Sequence, residues 1–590
     1  MLQRSRFLPL LALVLAPALS APAPAAPACP GTVDAVQSDD LPDLGRSVDG
    51  SIRWLRSTQN PADGSYGGGV EGTAWVLHAM GTSHRRYMRS DGPFVAKAID
   101  HLLARQDASG AVFDEGASAK EQVEQSTLAA AALAGHIDAD VAPALGRLSV
   151  WLAGSGVEAP AVDGIDLPED DAAARALVLD ILALRGPDGS YDGERGKIVE
   201  TAMAVDALNR LKVRFAPPKA PAAARAAALP AYEPAGPEAV DAAVLRGARF
   251  LVGASQDGLW GAPGRPDGGI TAMVVGALQE VPEPRPKDIQ AAIDGGVAWL
   301  LTLQGDDGSF SQGGRMKNYV TSAVLMTLAG SDAHAAQRER GRAFLKTIQA
   351  DEGEGYSEGD MYYGGIGYGS DERPDLSNLQ MALDALVATG SSANDPEIQR
   401  ALKFLERCQN RSESNDVELT VKGIVIKSGD DGGGTYMPGN SKAGNVTLAD
   451  GTEVPRSYGS MTYALLKGLV FAGLQRDDPR VEAAWKWLSA NYTLDVNPGF
   501  DGAKDPRAPY QGLFYYFDTM ARALDVYGAD AIVTPDGTEH DWRAELAGRL
   551  VSLQSKADGS WKNENAPRWW EGNPVLATAY AVQALGKARR

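Results

Sequence analysis

Hydrophobic positions along most of the chain recur at the three- and four-residue spacing of amphipathic helices. Three stretches show the same order of features: an amphipathic helix that ends in Gln, a turn that contains Gly, and then an aromatic residue. They are SIRWLRSTQNPADGSY (Ser51 to Tyr66), VAWLLTLQGDDGSF (Val297 to Phe310) and LAGRLVSLQSKADGSW (Leu546 to Trp561). Such self-similarity indicates a fold that uses one supersecondary unit many times.

A second helix follows each turn, and its sequence is apolar on nearly every face. Examples are VETAMAVDAL from Val199, GITAMVVGAL from Gly269, YVTSAVLMTL from Tyr319 and VLATAYAVQAL from Val575. A helix with this pattern is buried on several sides. The repeated unit is therefore a helical hairpin, and stacked hairpins predict an all-α fold, an α/α toroid with an inner and an outer ring of helices.

The pattern predicts two toroidal domains. A Pro- and Ala-rich stretch from Pro217 to Pro237 interrupts the periodicity and predicts a linker at 216–238. We expect a partial toroid at 29–215 and a complete ring of six hairpins at 239–590. The outer helices of that ring are predicted to begin near Val240, Ile289, Arg338, Glu397, Val481 and Arg543, and the inner ones near Gly269, Tyr319, Leu376, Ser457, Gly512 and Pro574.

The order of outer helix, Gln, turn, Gly and aromatic residue resembles the repeat of squalene-hopene cyclases, oxidosqualene cyclases and the related prenyltransferases, known as the prenyltransferase and squalene oxidase repeat. The resemblance covers most of the chain in weak form. It implies a terpenoid cyclase-like α/α toroid. It also implies that the Gln and aromatic residues of the repeat stabilise helix ends and take no part in chemistry.

Charge narrows the range of partners. The 590 residues carry a formal net charge of -20 without a block of Lys or Arg, so phosphate backbones and anionic lipid headgroups are repelled. We therefore expect no nucleic-acid partner. Beyond the N-terminus no apolar run approaches the roughly 20 residues of a membrane-spanning helix. Any membrane contact is expected to be peripheral.

The N-terminal sequence MLQRSRFLPLLALVLAPALS has the basic start, short apolar run and small residues of a secretory signal. We predict a signal peptide at 1–28 and export to the periplasm or the extracellular space. Cys29 follows it without the large aliphatic residue that precedes a lipid-attachment cysteine. Cys408 is the only other cysteine, and both a buried thiol and a bridge to Cys29 fit the sequence. No His pair has ligand spacing, so we predict neither a metal nor a cofactor.

Four long loops lead into inner helices of the second predicted domain, at Glu358 to Asn378, Asp430 to Tyr463, Asn497 to Phe517 and Trp561 to Pro574. In a toroid such loops meet at the mouth of the central cavity. Their Gly, Tyr, Trp and Asp content is typical of a binding surface. The predicted substrate-binding residues are Tyr362, Tyr363, Tyr368, Tyr436, Tyr463, Phe514, Tyr515, Trp569, Trp570 and Glu571.

The cyclase resemblance implies an acid that protonates an alkene, presented by a DxDD motif at the start of an inner helix. The matching stretch is Pro374-Asp375-Leu376-Ser377-Asn378, in which Ser377 holds the position of the proton donor. A serine hydroxyl is far too weak an acid for that step. We expect Asp375 or Ser377 to cap the helix instead. The candidate catalytic residues are Asp371, Asp375, Ser377, Asn378, Asp431 and Tyr458.

Three functions fit these loops. The leading hypothesis is an exported terpenoid cyclase-like toroid that binds an apolar isoprenoid in its cavity. Cyclisation or isomerisation of that ligand would need a different acid, and the aromatic walls would stabilise carbocations by cation-π attraction. The second is a carbohydrate-active lyase or hydrolase, or a glycan-binding toroid, that stacks aromatic side chains on sugar rings. The third is a non-catalytic interaction scaffold. The sequence leaves open whether the protein is an enzyme.

Overall fold

The computed structural model describes residue 41 and residues 43–155, 164–215, 226–262, 265–369, 373–421 and 423–589. The predicted signal peptide, Cys29, Asp371 and the first part of the predicted linker lie outside these residues. The described chain is mainly helical and divides into two compact units within the interval 216–225. No helix of the described residues is both long enough and apolar enough to cross a membrane.

The first unit consists of helical hairpins. Its described helices are α1 (Leu44–Ser57), α2 (Val70–Thr82), α3 (Pro93–Ala104), α4 (Ala119–Leu133), α5 (Val141–Gly154), α6 (Asp171–Ala183) and α7 (Lys197–Arg214). Helix α2 is buried along most of its length and packs between α4 and α7. The helices α1, α3, α5 and α6 cover these three from outside.

The second unit has twelve helices that alternate between an outer and an inner position. The outer helices are α8 (Pro237–Gly253), α10 (Lys287–Leu301), α12 (Ala335–Thr347), α14 (Pro396–Arg407), α16 (Pro479–Ala490) and α18 (Trp542–Leu553). The inner helices are α9 (Gly268–Gln279), α11 (Lys317–Leu328), α13 (Leu376–Ala388), α15 (Gly459–Phe471), α17 (Leu513–Tyr527) and α19 (Pro574–Arg589).

The inner helices form a closed ring. Each packs on the next inner helix along the chain, and α19 packs on both α9 and α8. All six run in the same direction, because an outer helix separates each from the next. The predicted fold class, an all-α toroid whose second ring has six hairpins, is confirmed, and the predicted helix starts lie within three residues of the observed ones.

The repeat Gln ties neighbouring outer helices together. The Gln304 side chain, after α10, donates to the Gly308 carbonyl in its own turn at 3.0 Å and to the Gln337 carbonyl in α12 at 2.9 Å. The same pair of hydrogen bonds, one to the residue's own turn and one to the next outer helix, is made by the side chains of Gln59, Gln106, Gln349, Gln409 and Gln554. Gln554 reaches Ala243 in α8 and so closes the outer ring.

The aromatic residue of the repeat is fixed by a hydroxyl on the inner helix. The backbone N–H of Phe310 donates to Thr321 Oγ1 at 2.9 Å, and that of Trp561 donates to Thr578 Oγ1 at 3.0 Å. Because the acceptor is a side chain, the turn is anchored to an inner helix without interrupting that helix. The hydroxyl residues at the starts of the apolar helices therefore have a structural role.

Short β-strands occur in loops of the second unit, and the sequence patterns did not predict them. The strands β1 (Gly261–Ala262) and β2 (Arg265–Pro266) pair before α9, and β7 (Ile532–Val533) and β8 (Glu539–His540) pair before α18. Between α14 and α15, β3 (Glu418–Val421), β4 (Ile424–Lys427), β5 (Asn445–Thr447) and β6 (Glu453–Pro455) form a sheet of order β3-β4-β6-β5.

The part of the predicted linker that is described before α8 is not helical. Residues 226–236 run in irregular conformation to the start of α8. The Ala235 N–H donates to the Ala544 carbonyl in α18 at 2.8 Å, and Ala227 exchanges two hydrogen bonds with the Asn565 side chain. This segment therefore packs on the second unit.

Candidate functional site

The N-terminal ends of the inner helices of the second ring form the candidate site. Asp375 is the N-cap of α13, and its Oδ1 accepts from the Asn378 N–H at 2.8 Å. Its Oδ2 accepts from Asn378 Nδ2 at 2.8 Å, and the Tyr436 hydroxyl also bonds the carboxyl. The predicted capping role of Asp375 is thus confirmed. Burial nevertheless raises the pKa of Asp375 to about 6, against the opposing effect of these hydrogen bonds.

Tyrosines surround this carboxyl. Tyr368 hydrogen-bonds the side chains of Asn378 and Tyr436, and burial raises the pKa of Tyr368 to about 12. The Lys442 ammonium lies 4.1 Å from the centre of the Tyr436 ring. Burial raises the pKa of Tyr436 and of Tyr458 as well. Phenols with raised pKa values keep their protons at neutral pH, so they act as hydrogen-bond donors rather than as bases.

Polar side chains meet across the axis of the ring. The Tyr319 hydroxyl of α11 lies 3.4 Å from the Tyr580 hydroxyl of α19, and the Tyr515 hydroxyl of α17 lies 3.0 Å from Ser377 Oγ of α13. The helices of each pair are not neighbours, because α9 stands between the first two and α15 between the second two. These side chains can therefore meet only on the axis. Gln380 Nε2 also donates to the Tyr515 hydroxyl, at 2.5 Å.

One buried hydrogen-bond acceptor among these axial side chains has no donor within the described chain. Gln380 is 3% exposed, and within the described chain its Oε1 has no hydrogen-bond partner. A buried acceptor without a donor costs roughly 1–3 kcal/mol. A ligand that carries a hydroxyl or an N–H group would satisfy it.

Aromatic rings connect the surface with the buried tyrosines. Trp570 is 57% exposed and Trp569 is 40% exposed. The Trp569 ring lies 6.5 Å from that of Phe500, and Phe500 lies 5.1 Å from Tyr458, the N-cap of α15. We call Trp570, Trp569, Phe500 and Tyr458 the aromatic track. Both tryptophans have positive φ angles, of 55° and 66°. Such backbone costs on the order of 1–3 kcal/mol per non-Gly residue and is frequent at binding sites.

Glu571 directly follows Trp570 of the aromatic track and binds the start of α17 through hydrogen bonds. Its Oε1 accepts from the Tyr515 N–H at 2.8 Å, its Oε2 accepts from Asn563 Nδ2 at 2.7 Å, and it also accepts from the Leu513 and Phe514 N–H groups. It therefore caps α17 from a separate loop. Burial raises the pKa of Glu571 to about 7. Its described contacts are structural.

The remaining predicted residues lie away from the axis. Tyr362 packs on Phe404 of outer helix α14, and Tyr363 donates to Glu352 at 2.7 Å. Phe514 and Tyr463 are buried, where they pack on Phe517 and Tyr516. Asp431 is exposed and accepts from Ser457 Oγ at 2.6 Å, which braces its loop. Asp371 lies outside the described residues.

A second polar group, missed from the sequence, lies further along the axis. Lys467 of α15 is 1% exposed and pairs with Asp384 of α13 at 2.7 Å. Arg522 Nε of α17 donates to both carboxylate oxygens of Asp518, at 2.9 and 3.0 Å. The signal was available in the sequence, because these charges interrupt helices that are otherwise apolar, as in MALDAL and ALLKGL.

Comparison with solved structures gives distant likenesses. No family model and no curated protein matches the chain. The apo structure of the type II terpene cyclase MstE from Scytonema is 14% identical with a TM-score of 0.36, over 60% of this chain and 99% of that one. A variant of MstE in complex with geranylgeranyl dihydroxybenzoate is 15% identical with a TM-score of 0.36, over 60% and 98%.

The ent-copalyl diphosphate synthase from Streptomyces platensis is also similar. It is 14% identical with a TM-score of 0.22, over 60% of this chain and 91% of that one. TM-scores of this size carry no argument about function. The fold rests on the closed ring of contacts within the chain itself.

Proposed function

We propose that the second ring binds a hydroxyl-rich ligand, a glycan, at the N-terminal ends of its inner helices. The observation that carries the proposal is the aromatic track, which leads from two exposed tryptophans to buried Tyr458, whose hydroxyl interacts electrostatically with Tyr515 and Asp375. Flat aromatic faces accept the C–H faces of sugar rings, and polar groups between them take up hydroxyls.

The polar side chains on the axis are suited to hydrogen-bonding the hydroxyl groups of a ligand rather than to catalysing a reaction. The phenols of Tyr319, Tyr515 and Tyr580 stay protonated because burial raises their pKa values. Their hydroxyls can donate hydrogen bonds, the Ser377 hydroxyl can donate and accept, and Gln380 Oε1 is an acceptor without a partner in the described chain. Asp375 is held by donors on both oxygens, an arrangement that favours the carboxylate as an acceptor. The proposed function is therefore binding.

The isoprenoid hypothesis competes with this proposal at the same axis. An isoprenoid gains affinity from apolar walls, and each buried polar group that it leaves unpaired reduces that affinity. The described axis carries Tyr, Ser and Gln at the level of the helix starts. This composition favours the glycan.

Affinity electrophoresis and thermal-shift assays with soluble xylan, pectin, alginate and β-glucan, and with geranylgeraniol in detergent, test the proposal. We expect one class of polysaccharide to retard and stabilise the protein. Trp570→Ala should weaken that binding about tenfold, or ~1.4 kcal/mol. Val533→Ala removes another exposed apolar side chain, which is 54% exposed and follows α17 at the opposite end of the ring, and should leave binding unchanged.

Two results would overturn the proposal. The first is stabilisation by geranylgeraniol and by no polysaccharide, which would restore the isoprenoid hypothesis. The second is glycan binding that Trp570→Ala and Val533→Ala leave equally intact, because the ligand would then bind away from the aromatic track.

A further inference from the structure

A cavity lies at the end of the second ring opposite to the starts of the inner helices. Its volume is about 280 Å³, and it is lined by residues of α9, α11, α13, α17 and α19. Its lining begins near the middle of the inner helices, with Met273 and Asp384, and reaches their C-terminal ends at Ala388 and Val526. It is therefore separate from the aromatic track, which lies at the helix starts, and the inference does not rest on the proposed function.

Two internal ion pairs present opposite charges to this cavity. Asp384 lines it from α13, and its Oδ2 is held at 2.7 Å by Lys467, which does not line the cavity. Arg522 lines it from α17, and its Nε is held by Asp518, which likewise does not line it. The inner partners fix the two side chains in place. The cavity thus receives a carboxylate on one side and a guanidinium on the other.

Three further charged groups line the cavity. Glu280, at the end of α9, and Asp525 of α17 add carboxylates, and Lys587 of α19 adds an ammonium that lies 3.9 Å from the Asp525 carboxylate. The C-terminal ends of the inner helices each carry about half a negative charge, which favours a cation at this end of the ring. The ammonium of a ligand is accordingly expected near Asp384 and its carboxylate near Arg522.

Apolar and uncharged polar side chains line the rest of the cavity. The apolar ones include Met273, Met326 and Val526, and the polar ones are Gln279, Thr327 and Gln583. Thioether side chains adapt to irregular aliphatic groups. A ligand with charges of both signs and a short aliphatic side chain therefore matches the charged and the apolar parts of the wall.

We propose that this cavity binds a small zwitterion, a free α-amino acid with an aliphatic side chain. Its ammonium is placed at Asp384, its carboxylate at Arg522, and its side chain against Met273 and Met326. No bond is made or broken in this step, so the site is one of binding.

Matched ligands test the need for both charges. Isothermal titration of the full chain with L-leucine, 3-methylbutylamine and 4-methylpentanoate compares the zwitterion with the same carbon skeleton carrying only the amine or only the acid. We expect L-leucine to bind at one site and each analogue to bind at least tenfold more weakly. Binding of either analogue as tightly as L-leucine, or binding of none of the three, overturns the proposal.

Matched variants locate the site. Gly276 lies in α9 on the wall of the cavity, and a Cβ there would meet only Gln583, at 3.8 Å. Gly276→Met should therefore fill the cavity without a change of charge and weaken L-leucine binding at least tenfold. Gly295→Met is the control, because Gly295 is exposed on outer helix α10 with open space around it.

Both variants replace a helical Gly by a better helix former, so both are expected to fold. Circular dichroism and the thermal midpoint verify this. A Gly276→Met variant that is folded and binds L-leucine as tightly as Gly295→Met does would place the amino acid elsewhere and overturn the assignment of this cavity.

Discussion

Asp375 caps helix α13, and the energetic cost of burying its carboxyl depends on pH. Its carboxyl caps α13 but is only 2% exposed, and burial raises its pKa to about 6 from an ordinary value of 3.8. Between about pH 4 and 6 the folded protein therefore binds this proton more tightly than the unfolded chain does. The contribution of Asp375 to stability falls as the pH rises through that window and stays at its lower level above it.

We predict that Asp375→Asn removes this pH dependence. Asn is as good an N-cap as Asp and carries no charge to bury. The free energy of unfolding of the variant, relative to the native protein, should increase between pH 4.5 and pH 8 by about 2 kcal/mol, because the interval from pH 4.5 to the raised pKa of about 6 spans about 1.5 units of about 1.4 kcal/mol each. Urea unfolding at the two pH values measures the difference.

Asp395 provides the matched control for this prediction. It is the N-cap of outer helix α14, and hydrogen bonds from Ser392 lower its pKa. The sign is reversed, since a lowered pKa gives stability that is lost as the pH falls. Asp395→Asn should therefore lose stability relative to the native protein as the pH rises. Equal differences at both pH values for Asp375→Asn would contradict the assigned environment of Asp375.

At the scale of the element, the repeated turn between outer and inner helix is defined by three contacts. The Gln side chain links two carbonyls, the aromatic N–H meets a hydroxyl, and a Gly lies against the next outer helix. At Gly559, which has a φ of 81°, a Cβ would lie 2.9 Å from the Arg246 carbonyl oxygen. Only Gly combines that backbone with that approach.

We predict that Gln409→Met severely destabilises the second ring. Gln409 is fully buried, and its Nε2 donates to the Gly432 carbonyl at 2.9 Å and to the Arg480 carbonyl of α16 at 2.8 Å. Met keeps the length of the side chain but leaves both acceptors without this donor, at a cost of about 2–5 kcal/mol. Chemical denaturation monitored by tryptophan fluorescence measures the loss.

Gln399→Met is the control for that experiment. Gln399 lies on α14, the outer helix that ends just before Gln409, and is exposed, so water can replace its own hydrogen bonds to the Ala393 and Ala472 carbonyls. Its replacement should change the free energy of unfolding by less than about 1 kcal/mol. If the two variants were equally stable, the Gln of the repeat would not be a structural tie between outer helices.

At the scale of the whole molecule, the repeat allowed the fold to be predicted from the sequence. Periodicity placed all twelve helices of the second ring, because most hairpins carry the same Gln, Gly and aromatic signals. Local patterns also predicted the cap at Asp375. These features depend on residues that are close in sequence.

The axial contacts could not be predicted in the same way. Tyr319 and Tyr580 are 261 positions apart and meet only because the ring closes. The pairing of Lys467 with Asp384 likewise depends on how α13 and α15 are rotated about their own axes. The short strands of the loop before α15 were missed because they pair only within that loop and carry no repeat signal.

Closure of the ring leads to the last prediction, which concerns the second unit as a separate protein. Helix α19 packs on α17, α9, α18 and α8, and Gln554 joins the turn after α18 to α8. Every inner helix of residues 226–590 therefore has an inner neighbour on both sides within that fragment.

We expect fragment 226–590 to unfold in one cooperative urea transition. Fragment 226–535, without α18 and α19, exposes the inner faces of α17 and α9 and should lose that cooperativity, because their buried apolar surface is no longer covered. A repeat array that stabilises each hairpin only through its neighbours, without closure, would instead unfold cooperatively in both fragments with a transition that shifts in proportion to length. Circular dichroism and the dependence of unfolding free energy on urea distinguish the two outcomes.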